Sequence, residues 1–482
     1  MAYRYGNRCQ MTLLPLSIEG YVPKDDPVRA YDAFVEALDL NDLGIELNPE
    51  KVGNSEYDPT AMLKLFVYGY SYGTKSSRKL ERETYHNISF IWLMGGLKPD
   101  HKTIAEFRRK NKKAIQSVLK QCARMCIKLD LIAGNVLFVD GTKIRANASC
   151  SRTHEKAWYE EQLKDIDRRI ECLLKECEAV DQQEQHLSSF VAMNKELSKA
   201  ETLKSTIEDA LEEFKETERT KINHTDLDCA PMRSIQGKHA SYNVQSVVDD
   251  KNGLIVHAEA VNAASDLNQF ARQIEQAHEV LEKPCEAACA DAGYANTDEL
   301  EKIDAQGITV IVPSQRQALH AGAQPFSKQE FSYDKDDDCY CCPEGHRLKR
   351  SSTYKKTGNT YYQITDKRFC YNCQHWGRCT TGKSGRRLVR LHNEAIKEKL
   401  EAQYEQQDSQ ELYARRKARV EHPFGHIKRN LKTDAFLMRG RDGVQAETSL
   451  VATCFNIARM ITLMGVSGFI EKLSPREAMV AG

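Results

Sequence analysis

Three acidic residues, far apart in the chain, stand in surroundings that suit a bound metal ion. Glu421 is the only carboxylate in YARRKARVEHPFGHIK (413–428), among Arg415, Arg416, Lys417, Arg419, Lys428 and the following Arg429. Asp140 ends the apolar run LFVD, and Asp291 ends AACAD. Excess positive charge beside one carboxylate suits a polyanion, held where the carboxylate helps to bind a metal. If the three acids meet in space, they could bind divalent metal for phosphodiester chemistry on DNA. Taken singly, each is an ordinary strand-end or helix-surface acid.

Composition bounds the class of protein. A chain of 482 residues with 41% apolar content is long enough for two to four domains with real cores. Lysines plus arginines and aspartates plus glutamates both number 69, which counts against a nucleic-acid binder unless the charges are segregated. Residues 155–220 are rich in acids, whereas the N-terminal region and the surroundings of Glu421 are basic.

The pattern of apolar residues predicts a cytoplasmic protein. No run approaches the roughly 18 apolar residues needed to cross a bilayer. The start, MAYRYGNRCQMTLLPLSIEG, lacks the apolar core of a signal peptide. The 16 cysteines are therefore expected to be reduced.

Helix signals dominate residues 1–130. Asp26-Pro27 and Asp58-Pro59 each place a capping carboxylate before a proline at the first helical position. Thr103 and Glu106 form a T-x-x-E capping box that predicts one long helix with a basic outer face. We expect an all-α domain whose basic faces are either a solvated surface or a helix-turn-helix-like DNA reader.

Short apolar runs then predict the order strand, strand, strand, helix, strand, helix, strand. VLFVD forms the first strand, with Asp140 at its end, and SYNVQSVVDD (241–250) pairs with LIVHAEAV (254–261) in a hairpin. CEAACAD delivers Asp291, and ITVIVPS (308–314) is the last strand. This order resembles that of a ribonuclease H-like fold, an α/β core with a mixed five-stranded sheet. In that fold the ends of the first and fourth strands face one cleft.

A helical insertion interrupts this order between residues 155 and 220. Apolar residues recur there at alternating steps of three and four, which is heptad spacing. The two stripes are Leu163, Ile166, Ile170, Leu173, Cys177 and Val180, then Ala200, Leu203, Ile207, Ala210 and Phe214. The pattern predicts an antiparallel helical hairpin, with a structural role or a role in self-association.

A second insertion, residues 315–390, is rich in cysteine. CYCCPEGH and CYNCQHWGRC, about 30 residues apart, together hold six cysteines. Thiolates are soft ligands that suit zinc, and a loop-rich segment of this size should lack a core of its own. The best four ligands for a structural zinc are Cys342, Cys370, Cys373 and Cys379. Reduced cysteines without a ligand are the alternative.

In this order and spacing, the motifs resemble those of the DDE transposases of bacterial insertion sequences. They are closest to the group with a helical N-terminal transposase domain and a cysteine-bearing insertion before the last acid. VDGTKIRANAS, ADAGYAN and VEHPFGHIK resemble the three acid motifs, and residues 57–111 resemble the N-terminal domain. The resemblance implies that Asp140, Asp291 and Glu421 are catalytic and bind Mg²⁺ or Mn²⁺.

The resemblance also implies residues that bind DNA phosphates. Tyr413, Arg416 and Lys428 are similar to the family's Y-(2)-R-(3)-E-(6)-K signature. The distance from Glu421 to Lys428 fits, but Arg416 lies one residue too far from Glu421 unless Lys417 takes its place.

Activity and partners follow from the same resemblance. Water would free a 3′ hydroxyl at the element's end, and that hydroxyl would attack target DNA. The partners would be terminal-repeat and target DNA, bound by a homodimer or larger synaptic assembly, with no membrane. A plain ribonuclease H-like nuclease or resolvase, or a non-catalytic DNA-binding protein derived from a transposase, are the alternatives.

These inferences divide the chain into four parts. A helical DNA-binding domain spans 1–130, and the catalytic core combines 131–154, 221–314 and 391–465. The helical hairpin occupies 155–220 and the Cys-rich insertion 315–390. The helix that carries Glu421 should begin near Glu411 and break or distort at Pro423. An apolar helix from about residue 446 to 463 should pack under the sheet.

Overall fold

The protein combines α-helices with a mixed β-sheet. A computed structural model describes residues 17–45, 56–181, 187–234, 237–319, 325–355 and 357–473, with side chains described except at 177–194. The first sixteen residues, part of the turn of the helical hairpin and the side chains of Cys177 and Val180 lie outside this description.

The N-terminal region is helical. Asp26 accepts the backbone N–H of Val28, and Asp58 accepts those of Thr60 and Ala61, which confirms both predicted helix starts. The helices described here are α1 (Pro27–Glu36), α2 (Pro59–Ser71), α3 (Ser77–His86), α4 (Ile88–Leu93), α5 (His101–Lys110) and α6 (Lys112–Lys128).

The prediction of one long helix after Thr103 is wrong in two respects. The N-cap is Asp100 and not Thr103, because the carboxylate of Asp100 accepts the backbone N–H groups of Lys102 and Thr103. The helix also ends at Asn111, whose side-chain amide donates to the carbonyl of Phe107, and α6 begins anew one residue later. Local side-chain hydrogen bonds of this kind compete with helix continuation.

The helical insertion follows the first core strand, β1 (Val136–Arg145). It consists of β2 (Thr153–His154), α7 (Lys156–Asp181), α8 (Leu187–Glu216) and β3 (Ile222–Asn223). The ion pairs Arg169–Glu196 and Lys204–Asp167 cross between the helices in antiparallel order, as the heptad pattern predicts. Tyr159, Ile166 and Ile207 are buried between them, whereas Cys172 is exposed.

The central sheet is mixed. Its further strands are β4 (Ala230–Ser234), β5 (Gly237–Asp249), β6 (Ile255–Val261), β7 (Ala287–Cys289) and β8 (Thr309–Ile311), with helices α9 (Phe270–Leu281) and α10 (Thr297–Asp304) between them. The strands lie in the order β6-β5-β1-β7-β8. The pairs β6-β5 and β5-β1 are antiparallel, and the pairs β1-β7 and β7-β8 are parallel.

Two predictions about this sheet need correction. The described sheet has six strands rather than five, because the unpredicted β4 pairs with the first residues of β5. Asp140 does not end its strand, since β1 continues to Arg145. The long strand β5 pairs with β1 from Leu137 through Arg145, and these hydrogen bonds carry the strand past Gly141, where the apolar run stops.

The Cys-rich insertion has a core of its own, contrary to the prediction. It contains α11 (Gln315–Ala318), β9 (Ser332–Asp334), β10 (Cys339–Cys341), β11 (Arg347–Thr353), β12 (Thr360–Ile364), α12 (Lys367–Tyr371) and β13 (Arg387–Arg390). The strands form an antiparallel sheet in chain order. One face buries an aliphatic and aromatic cluster formed by Phe331, Tyr340, Leu348, Tyr362, Ile364 and Leu388.

Three helices complete the chain: α13 (Glu394–Tyr404), α14 (Gln407–Arg429) and α15 (Arg441–Leu473). Helix α14 starts earlier than predicted and runs through Pro423 without a break. Proline removes one backbone hydrogen bond from a helix. Here the buried Val420, Phe424 and Ile427 hold the turns on both sides of it against the protein, and this packing outweighs that loss.

The final helix α15 joins the helical region to the sheet. It packs against α1, α2, α6 and β6, and changes direction at Gly465, whose φ is 71°. Within the described residues, α15 is the one helix long and apolar enough to cross a membrane by length and composition. Core helices meet the same criteria, and over half of its most apolar window is buried inside the protein.

A buried ion pair lies at this junction. Glu447 of α15 is 1% exposed and accepts the N–H groups of Leu437 and Met438, and Lys75 lies 3.9 Å away. Burial raises the pKa of Glu447 and lowers the pKa of Lys75, so desolvation outweighs their attraction.

Removing one partner of this pair should therefore be costly. We expect Glu447→Ala to lower the free energy of unfolding by about 3–5 kcal/mol, because Lys75 would keep an unpaired buried charge. The double variant Lys75→Met with Glu447→Gln should stay close to the wild type, since no charge remains to be buried. Urea denaturation followed by circular dichroism measures both. Equal losses in the two variants would contradict this account.

Candidate acidic site

Strand register brings Asp140 and Asp291 side by side. Strands β1 and β7 are parallel neighbours, and their last paired residues are Phe138 and Cys289. Each aspartate lies two residues beyond that pair. Asp140 is still held in β1 by its antiparallel pairing with Ser246, whereas Asp291 has left β7 and accepts the N–H of Gly293. The backbone thus fixes both carboxylates.

One guanidinium lies between these two carboxylates. Nη1 of Arg416 is 3.6 Å from Oδ1 of Asp140, and Nη2 is 3.8 Å from Oδ2 of Asp291. In the described part of the chain, Nη1 is buried and has no hydrogen-bond partner. Arg416, and not the exposed Lys417, is therefore the cation that α14 supplies to the acids.

The electrostatics of Asp140 reflect this position. Burial raises the pKa of Asp140 to about 6, the positive charge of Arg416 opposes the rise, and the neighbouring Asp291 and Asp266 add to it. A cation bound between half-buried carboxylates is favoured, because it relieves the repulsion between their negative charges. Carboxylate oxygens are the ligands that Mg²⁺ and Mn²⁺ prefer, so the residues present fit such an ion.

Tyr413 and Lys428 lie on the same side of α14 as the acids. The Tyr413 ring packs under Arg416, with the guanidinium carbon 5.6 Å from the ring centre. Lys428 donates to the hydroxyl of Thr142, which is two residues from Asp140 on the same face of β1. Burial lowers the pKa of Lys428, and the charge of Asp140 opposes that shift.

Glu421 stands apart from the two aspartates. Its side chain is exposed, and among the described residues none forms a hydrogen bond or an ion pair with it. It lies seven residues before Lys428, which turns the two side chains about 20° apart around the helix. Glu421 therefore shares the direction of Lys428, which contacts β1.

Three further aspartates, Asp249, Asp250 and Asp266, lie in or near this part of the sheet. Asp266 accepts hydrogen bonds from the amides of Asn243 and Gln245 at 2.7 Å, next to Gly141. Asp249 is buried and accepts the N–H groups of the loop before β1, so its role is structural. The sequence feature that could have indicated a polar partner such as Asp266 is the pair of amide side chains, Asn243 and Gln245, at alternate positions of the buried strand β5.

Asp250 attaches α14 to the sheet. Its carboxylate is 2.5 Å from Nη1 of Arg415 and 3.2 Å from Nε of Arg419. Between these arginines lies Arg416, so one acid at the end of β5 sets the rotation of the helix that carries Arg416 and Glu421. Val420, packed against Phe138 and Cys289, adds an apolar contact on the same face.

The four predicted zinc ligands line the same cavity of the Cys-rich insertion, although no three of their sulfurs lie within 4.8 Å of one another. Cys342, Cys370, Cys373 and Cys379 line one cavity of about 30 Å³. Backbone N–H groups of His346, His375 and Arg386 donate to the sulfurs of Cys342, Cys373 and Cys370 at 3.3–3.4 Å. Burial raises the pKa of Cys379, and the other three thiols add to the rise. Cys339 and Cys341 lie instead on β10.

Another group in this insertion could offer ligands to a metal. Side-chain atoms of Asp334, Asp337 and Cys339 lie within 4.8 Å of one another. Both carboxylates have other partners, however. Asp337 pairs with Arg347 at 2.6 Å, and Asp334 accepts the N–H groups of two residues in its own turn.

Two family models match parts of the chain. Residues 341–461 match the model of a family described as transposase DDE domain, and residues 16–110 match one described as transposase domain DUF772. The recognition of a transposase from the motifs is thereby confirmed. Both matches agree with a DDE transposase of an insertion sequence. The DDE match includes Glu421 but neither Asp140 nor Asp291.

One solved structure is also similar. It is a cryo-EM structure of a piggyBac transposase synaptic complex with hairpin DNA, 7% identical with a TM-score of 0.34. The likeness covers 93% of this chain and 79% of that one. No curated protein matches the chain at a significant level.

The contact between Asp250 and α14 can be tested by stability. We expect Asp250→Asn to lower the free energy of unfolding by about 1 kcal/mol, because both arginines lose a partly buried partner. The matched control is Asp130→Asn, which removes the exposed partner of Lys251 and should leave stability unchanged. Urea midpoints measure both, and equal effects would show that Asp250 does not hold α14.

Proposed function

We propose that this protein is an insertion-sequence transposase that cuts DNA at the element's ends and joins them to target DNA by a DDE mechanism. The observation that carries the proposal is the pair Asp140 and Asp291, held side by side by neighbouring parallel strands with one cation between them. The matches to two transposase domains support the class of reaction.

The strand order supports a ribonuclease H-like core. Three antiparallel strands are followed by two parallel ones in the order β6-β5-β1-β7-β8. In this order Asp140, in the middle of β1, lies beside Asp291, just past the carboxyl end of β7. Asp140, Asp291 and Glu421 would bind the metal. Divalent metal ions bound there would activate the attacking oxygen and stabilise the leaving one.

Glu421 is assigned as the third acid from its direction on α14. It shares a helix face with Lys428, which reaches β1 at Thr142, and its carboxylate is not engaged by any described side chain. An acid surrounded by arginines that nevertheless forms no ion pair remains available as a ligand.

The remaining residues of the site would position DNA. Arg416 and Lys428 bring positive charge to the acids, where it would hold phosphates close to the scissile bond, and the Tyr413 ring supports Arg416. In the first reaction a water oxygen attacks phosphorus, the bond to the 3′ oxygen breaks, and that oxygen takes a proton. In the second, the new 3′ hydroxyl attacks a target phosphate, and a target 3′ oxygen leaves.

The two reactions require recognition of element ends and of target DNA. The basic helices of the N-terminal region would bind the terminal repeats, and α7 with α8 would help two copies to associate. The protein would act in the cytoplasm, on nucleoid DNA.

Cleavage of labelled duplexes that carry the element's end repeats tests the proposal. Glu421→Gln should lower the rate of cleavage with Mg²⁺ or Mn²⁺ at least a hundredfold while DNA binding persists, because the substitution removes a metal ligand but no phosphate contact. The matched control is Glu411→Gln, an exposed glutamate near the start of the same helix, which should cleave like the wild type.

The other outcomes separate the alternatives. Cleavage that never leads to joining would indicate a plain nuclease. Binding without cleavage by the wild type would indicate a DNA-binding protein derived from a transposase. Cleavage that survives Glu421→Gln would mean that another acid, with Asp266 the nearest candidate, completes the site.

A structural zinc ion is the second metal of the proposal. The cavity among Cys342, Cys370, Cys373 and Cys379 suits a small soft cation, and the three N–H donors are aimed at sulfurs as they would be at bound thiolates. Such an ion would fix the loop between α12 and β13 on the insertion's core.

Metal content tests the zinc assignment. The purified wild type should contain about one zinc per chain by mass spectrometry, and its cobalt form should absorb as a tetrahedral thiolate site. Cys373→Ser should lose the metal, whereas Cys341→Ser, on β10, should keep it. A wild type that takes up no zinc, or a loss of zinc in both variants, would contradict the assignment of these four cysteines.

A further inference from the structure

One part of the Cys-rich insertion carries a large excess of positive charge. Residues 345–390 contain twelve lysines and arginines and a single acid, Asp366, although the chain as a whole is neutral. The carboxylate of Asp366 caps α12 by accepting the N–H of Arg368. The net charge of the whole protein does not reveal this local excess of positive charge. Such an excess suits a polyanionic partner.

Most of these cations are exposed and unpaired. Arg347 and Arg350 have acidic partners in the turn before β10, and Arg390 has one in α13. Among the described residues, no carboxylate lies within ion-pair distance of the others that are exposed. We name these seven the insertion's basic surface: Lys349, Lys355, Lys367, Arg368, Arg378, Lys383 and Arg387.

The surface extends along the hairpin of β11 and β12. Lys355 lies in the turn of this hairpin. Lys349 and Arg387 lie on one face of the sheet, since both align with Gln363 in the register. Lys367 and Lys383 lie at the other end, beside α12. A strand of seven residues spans roughly 23 Å, so the cations cover about that length.

Aromatic rings stand among the cations at the α12 end. Phe369, Tyr371 and Trp376 are large apolar side chains left exposed. The ring centres of Tyr371 and Trp376 are 4.7 Å apart, and the hydroxyl of Tyr371 donates to the carbonyl of Lys383. Exposed rings beside unpaired cations are typical of surfaces that bind nucleic acids.

The opposite end of the surface borders the chain segment that follows Asp291. Thr357 and Asn359, in the hairpin turn with Lys355, line a groove together with Asn296 and Asp298, which follow Asp291 along the chain. Asn393 donates to Asp298 at 2.6 Å and ties the insertion to this segment. A polymer that lies at Asp140 and Asp291 can therefore continue onto the hairpin turn.

From this arrangement we infer that the insertion's basic surface binds the phosphate backbone of the duplex whose strand is cut at the acids. The inference rests on the proposed function and deepens it, because it assigns the Cys-rich insertion a part in holding DNA. The duplex runs from the acids past Lys355 and along β11 and β12 to α12. Contact over that length would involve about six or seven base pairs, at roughly 3.4 Å each.

Charge removal with a matched control tests the inference. In the full-length protein, Lys349, Lys355, Lys367 and Lys383 are changed to glutamine together. The control changes Lys238, Lys283, Lys335 and Lys472, which are exposed, lie outside both the basic surface and the helical hairpin, and have no ion pair among the described residues. Binding is measured by fluorescence anisotropy with a 40-base-pair duplex that carries an element end, across a range of salt concentrations.

The first variant should bind at least tenfold more weakly. Its slope of log affinity against log salt should be shallower by roughly 3 to 4, since about 0.9 is lost for each phosphate contact. The control should stay within twofold of the wild type. A duplex trimmed to the base pairs next to the cut should bind the wild type and the first variant equally, because it cannot reach the surface.

Each contrary outcome has its own meaning. Equal binding of the long duplex by the two variants would overturn the inference while leaving the proposed function intact. A difference that persists with the trimmed duplex, or appears only with target DNA, would overturn the assigned path. A wild type that neither binds nor cleaves the long duplex would overturn the proposed function as well.

Discussion

The site depends on a balance of charge between two aspartates and one arginine. The parallel pairing of β1 with β7 brings Asp140 and Asp291 close together. Two half-buried carboxylates on neighbouring strands repel each other, and a nearby cation must compensate their negative charge. Arg416 supplies this charge from a helix nearly 130 residues further along the chain. The fold around the site can be understood as the set of contacts that keeps this helix in place.

Helix α14 is held on the sheet by several kinds of contact. Asp250 pairs with arginines on both sides of Arg416, and Val420 packs onto Phe138 below it. Further along, Lys428 donates to Thr142. Helix α14 also contacts α15, which packs against both the N-terminal helices and β6. The position of α14 is therefore linked to residues 16–110, the part of the chain that matches a transposase domain.

The sequence allowed the elements to be predicted better than the contacts between them. The strand order around the acids, the two aspartate helix caps and the heptad pattern of the hairpin insertion depend on local spacing, and they could be read directly. The extra strand β4, the continuation of β1 past Gly141 and the core of the Cys-rich insertion could not. Each of these depends on pairing or burial against residues that are distant in the chain.

The candidate site divides in the same way. Residue type and motif order pointed to Asp140, Asp291 and Glu421, and to the four cysteines that line one cavity. The role of Asp250 and the place of Asp266 next to Gly141 were not predictable, because ion pairs and amide contacts between separate elements leave no periodic trace. The continuation of α14 through Pro423 is a further case in which tertiary packing overrides a local preference, here the tendency of proline to end a helix.

The unusual spacing within α14 has a geometric consequence. Residues four apart on a helix point about 40° apart, whereas residues five apart, such as Arg416 and Glu421, point about 140° apart. With the shorter spacing of the resembling signature, the arginine and the glutamate would share one face of the helix, close enough to pair with each other. The additional residue separates them. Arg416 can then lie between Asp140 and Asp291, while Glu421 stays on the face of Lys428 with its carboxylate unpaired among the described side chains. The departure from the signature therefore changes which partner Arg416 has.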